Sequence, residues 1–112
     1  MTYYTQTTDQ GKIQIGEYVF VQTALNALST LTEGPLKDRV FLKSGKRQGK
    51  VTCEIDKKNH ILLTLEVFMI EGENAQEASL MIQNAIYEAI HAITEIRQVK
   101  VNVNTLGFVT KK

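Results

Sequence analysis

Apolar and polar positions begin to alternate at Gly11, where Ile13 and Ile15 interleave with Lys12 and Gln14 in the period of a β-strand that Gly16 ends. The ten residues before it are polar and aperiodic and hold four threonines, so they are expected to form a flexible arm outside a single domain spanning residues 11–110. After Gly16 the period changes. Tyr18, Val21, Leu25, Leu28 and Leu31 fall three or four apart, with Ala24 and Ala27 widening the stripe, which predicts a helix from Glu17 to Leu31 closed before Gly34-Pro35. Val40 to Lys43 reads as extended.

A second strand-like stretch follows a glycine-flanked basic segment. Val51, Cys53 and Ile55 alternate with Thr52 and Glu54, Asp56-Lys57-Lys58-Asn59 has turn composition, and Ile61, Leu63, Leu65, Val67 and Met69 make one continuous apolar face. These runs predict an antiparallel hairpin. Its second strand also carries Leu62, Thr64, Glu66, Phe68 and Ile70 on the opposite face, too apolar at its ends for a fully solvated surface. Beyond Gly72, a helix is predicted from Asn74 to Glu95 by Ala78, Ile82, Ala85, Ile86, Ala89 and Ile93, with Asn74 as N-cap and Glu77 three residues on. Val99, Val101 and Val103 then alternate with Lys100, Asn102 and Asn104, and Leu106-Gly107-Phe108 marks a shift of register or a bulge. The order β-α-β-β-α-β, with one extra strand allowed, predicts an α+β domain: a single-layer, mostly antiparallel sheet of four to five strands with two helices packed on one face.

Charge and cysteine content narrow the function classes. A net charge of +1 over 112 residues gives no global field for DNA or an anionic membrane. The one cysteine excludes an internal disulfide, and the start, Met1-Thr2-Tyr3-Tyr4-Thr5, lacks the basic-then-apolar order of a signal peptide, so a cytoplasmic location is expected. The apolar run Ile61 to Ile70 is about half the roughly 20 residues of a membrane-spanning helix.

No familiar catalytic pattern stands out. His60 and His91 have no carboxylate or thiol at a metal-ligand spacing, Cys53 occupies the apolar phase of its strand, and no serine elbow or phosphate-binding glycine loop is present. The reading is therefore of a non-enzymatic protein with no cofactor, metal or small-molecule substrate. Lys43, Lys46, Arg47 and Lys50 concentrate charge on the basic segment, which is read first as a solvated hairpin tip and alternatively as a contact for phosphate in a small nucleic-acid-binding module. Leu62, Phe68, Ile70, Leu106 and Phe108 are the candidate contacts for another protein.

Three stretches carry a family likeness. Gly11-Lys12-Ile13-Gln14-Ile15 before an alanine-bearing helix, Ile61-Leu62-Leu63-Thr64-Leu65-Glu66-Val67 running to Gly72, and Val99-Lys100-Val101-Asn102-Val103-Asn104 with Gly107 resemble the alkaline shock protein family of Gram-positive bacteria. The likeness covers Gly11 to about Val109. It implies a stress-response protein that forms homo-oligomers as a scaffold and is held beneath the cell envelope, in some members, by a membrane-anchor protein. The near-neutral charge and the threonine-bearing start differ from many members.

Overall fold

A computed structural model of the chain describes residues 3–44, 46–72, 74–94 and 99–110. The elements are β1 (Tyr3–Thr8), β2 (Gly11–Gly16), α1 (Glu17–Glu33), β3 (Val40–Phe41), β4 (Lys43–Ser44), β5 (Arg47–Gln48), β6 (Val51–Ile55), β7 (Ile61–Ile70), α2 (Ala75–Thr94) and β8 (Val99–Val109). The α+β class holds.

Strand β7 is the axis of the main sheet. Along one side it pairs antiparallel with β6 near its start and with β3 near its end, and along the other it pairs in parallel with β8 over its whole length. The other described ladders, β1 with β2 and β4 with β5, are antiparallel too. The parallel ladder follows from topology: α2 carries the chain back across the sheet between β7 and β8, as a parallel crossover requires. Both helices cover the same face, where Ile61, Leu63, Leu65, Val67 and Met69 are buried against Phe20, Ala24 and Leu28 of α1 and Ala78, Ile82, Ile86 and Ile90 of α2.

Asn74 caps α2 as expected, its Oδ1 accepting the Glu77 N–H at 3.1 Å. The expected helix end at Glu95 lies outside the described residues. The buried stripe of α1 differs from the expected one. The expected Ala24 and Leu28 are buried and Val21, Ala27 and Leu31 pack against the core, but Phe20 takes the place expected for Tyr18, which is 74% exposed. Spacing fitted both phases. Placing Phe20 inside buries a ring with no polar atom, whereas Tyr18 keeps its hydroxyl in water. On α2, Ile90 takes the core position and Ile93 is exposed.

The start of the chain corrects the expectation of a flexible arm. Tyr3–Thr8 forms a strand in register with Gly11–Gly16, closed by Asp9-Gln10. Tyr4 meets Phe20 edge to face at 6.4 Å, and Tyr4 and Ile15 pack on the core. The threonine run reads as polar, but β-branched residues are also good strand formers once a partner strand exists. From Thr7 to Gln14 every residue is exposed, so the distal ribbon projects and the molecule is elongated, 56 × 24 × 19 Å.

Candidate interaction site

Phe108 pairs with Met69 and so shares the helix side, whereas the expected contacts Leu62, Phe68 and Ile70 lie on the sheet face away from the helices. Its upper end is already covered. Between β3 and β6 the chain leaves the side of β7 as the β4–β5 ribbon and then rejoins it, with the Gly49 N–H donating to Leu42 O and the Glu66 N–H to Lys50 O. Gly49 passes so close to the Glu66 carbonyl that a Cβ would overlap it, which makes glycine necessary at this crossing. The ribbon lays the Arg47 guanidinium over the Phe68 ring, 5.3 Å from its centroid. Gly107, the partner of Phe68 on β8, leaves the space beside both groups.

Phe68 is therefore a correction. It was expected as an exposed contact, yet it is 2% exposed, because an inserted ribbon that composition does not reveal folds back upon it. Leu62, Ile70 and Leu106 are half-buried and Phe108 is 59% exposed. Around Leu62 the open face is polar: the register sets Glu54, Leu62 and Lys100 in one row and Thr52, Thr64 and Asn102 in the next. Lys43, Lys46 and Lys50 are exposed on and beside the β4–β5 ribbon, while Arg47 is committed to Phe68.

A surface missed by side-chain reasoning is the outer edge of β8. Gln83 Nε2 donates to Val101 O at 2.9 Å, which places that carbonyl on the side of β8 away from β7. Successive residues of a strand turn their peptide groups to opposite sides, so Val103 and Thr105 also turn theirs outward. Among the described residues nothing bonds those outward groups. The edge is flanked by Leu80, 51% exposed, and Tyr87, which share with Gln83 one flank of α2. The signal in the sequence was topological: a strand reached through a crossover helix is paired on one side unless another segment covers its other edge.

The titratable groups are dispersed. His60 Nδ1 lies 3.2 Å from Asp56 Oδ2 on the exposed turn between β6 and β7. The Asp56 carboxyl lies below its ordinary range, chiefly because it accepts the His60 backbone N–H. Cys53 is buried, and burial, with smaller contributions from Glu17 and Glu54, pushes its thiol up to about 12. His91 stacks on Tyr87 with 6.4 Å between ring centroids. Among the described residues no three histidine, cysteine or acidic side chains are grouped to hold a metal ion. A recess of about 430 Å³ between α1 and the β3–β4 segment is floored by Leu25, Leu28 and Val40, with Asp38 and Lys43 as the titratable groups on its wall. No described helix is long and apolar enough to cross a membrane.

Comparison with family models, curated proteins and solved structures finds no match to this chain.

Proposed function

We propose that the chain is a non-enzymatic, self-associating scaffold of the stress-response type that its likeness to the alkaline shock proteins implies, with the edge of β8 as its association surface. The observation that carries this reading is the outward, unbonded peptide groups of Val103 and Thr105, flanked by Leu80, Tyr87 and Phe108. An unpaired strand edge beside exposed apolar side chains is a template for another strand, and natural sheets protect such edges unless they are used. Here the guard among the described residues is Gln83, which occupies one carbonyl. A place beneath the cell envelope then depends on a separate membrane-anchor protein.

Light scattering over a concentration series tests the reading. The parent chain is expected to exceed its 12.6 kDa monomer mass as concentration rises. Thr105→Pro removes an outward N–H and leaves the backbone bonds to β7, losing there only the Thr105 hydroxyl's bond to Met69 Sδ at 3.7 Å, and is expected to return the protein to monomer. A parent that stays monomeric at the highest soluble concentration sinks the scaffold reading. A Thr105→Pro variant that associates as well as the parent moves the surface elsewhere.

A further inference from the structure

The projecting ribbon carries the complement of the β8 edge. Thr5 is bonded on its outer side, its N–H to Asn59 Oδ1 at 3.2 Å and its carbonyl from Asn59 Nδ2 at 2.9 Å. Thr5 pairs with Gln14, so this pair is of the wide, non-bonded kind whose peptide groups point away from the ribbon, and Thr7 with Lys12 is the next such pair. On β1 the outer edge is thus held by Asn59. On β2 the outward groups of Lys12 and Gln14 bond nothing among the described residues.

A two-stranded ribbon standing in water is marginal, and a third strand is what stabilises it. The side chains of β2 say which strand fits. Ile13, 50% exposed, and Ile15 occupy one face, and Lys12 and Gln14 the other. Strand β8 alternates in the same way, with Val101 and Val103 on its helix side and Asn102 and Asn104 on its open side. Laid edge to edge in parallel, the direction in which the outward groups of both strands bond while the isoleucines sit beside the valines, the two strands continue both faces of the sheet and bring Ile13 toward Leu80 and Tyr87. Within one chain these edges are apart, because the ribbon is tied at the β6–β7 turn and β8 lies on the far side of β7 from β6.

We propose that β2 of one copy adds to the β8 edge of a second copy, joining molecules head to tail. The proposal rests on the self-association reading above and names the segment that fills the edge. Each copy carries one donor and one acceptor, so the contact is heterologous and propagates into chains or closes into rings. Six residues of strand with their flanking side chains cover less than the ~800 Å² per partner of a standard interface, so assembly is concentration-dependent.

A complementation experiment tests this. Gln14→Pro removes an outward N–H of the donor while leaving the bonds between β1 and β2, and Thr105→Pro removes an outward N–H of the acceptor while leaving its backbone bonds to β7. Each variant alone is expected to run as a monomer. Their equimolar mixture is expected to form a complex of twice the 12.6 kDa chain mass and nothing larger, because one copy keeps a working acceptor and the other a working donor. Ile13→Lys and Leu80→Lys repeat the design with exposed side chains and no backbone change, should either proline variant fail to fold. Each is expected to weaken association about tenfold or more, and their mixture to restore it. If Gln14→Pro and Ile13→Lys assemble like the parent, the ribbon is not the donor, although self-association stands. A Gln14→Pro dimer that does not recruit Thr105→Pro identifies β8 pairing with β8 and overturns the proposal. A monomeric parent removes the reading beneath it.

Discussion

The described residues form two antiparallel two-stranded ribbons, and they have opposite fates. The β4–β5 ribbon turns back on the sheet, where Arg47 covers Phe68 and Gly49 crosses tightly at Glu66. Among the described residues the β1–β2 ribbon is tied at its base, by the Asn59 carboxamide at Thr5, by Tyr4 on Phe20 and by Ile15 on the core, and its outer half stands clear. Strand pairing is common to both. The difference is a side chain reaching over a buried ring, which makes one ribbon part of the core's lid and leaves the other an edge in need of a neighbour.

The sharpest way to break this contrast is to remove the ring beneath the first ribbon. Phe68→Ala is expected to destabilise the domain by about 3–5 kcal/mol, read as a fall in the urea midpoint, since the side chain is nearly fully buried. A loss near zero would mean that the ribbon does not seal the open face. At the second ribbon, Asn59→Gly keeps the positive φ of 63° at that turn while deleting both bonds to Thr5. The expected cost is about 1–2 kcal/mol of local stability, seen as roughly tenfold faster hydrogen exchange at the Thr5 amide with little change in global unfolding. If global stability falls equally, the ribbon belongs to the core after all.

Arg47→Ala is expected to cost about 0.5–1 kcal/mol, because the guanidinium is exposed to water on its outer side. Fluorine NMR of a labelled Phe68 ring should register its loss even where thermal unfolding barely moves. The smallest effect concerns acid. Asp56 also accepts the Lys58 N–H at 2.8 Å, shaping the turn that presents Asn59. Its folded carboxyl is held below the ordinary value, so its contribution is present above the unfolded value of ~3.9 and is lost as pH falls through the lower folded value. Asp56→Asn should flatten the pH dependence of Thr5 amide protection in that acidic window. A wild-type profile already flat there would show that the turn does not depend on the charge.

Much of the fold was legible because its signals are local. Asn74 before an apolar helix, the alternation through β7, and the irregularity at Leu106-Gly107 each specify structure within a few residues. What was not legible depends on distant partners. Tyr18 and Phe20 both suit helical spacing, and only the sheet beneath α1 decides between them. The threonines of β1 look like an arm until β2 is in place to pair with them. Phe68 reads as surface until a ribbon inserted twenty residues earlier covers it, and the β8 edge is a property of main-chain groups that no residue type announces.

The bulge at Leu106 bears on how far assembly can run. It shifts the β7–β8 register between Val67 and Phe68, so the alternation of inward and outward peptide groups that holds from Val99 to Thr105 is interrupted there. An incoming strand matched to Val101 through Thr105 falls out of step at the next residue. In the proposed assembly, zippering would stop after a few bonds, and a contact that cannot lengthen could still be undone, which would separate a reversible polymer from a fibril.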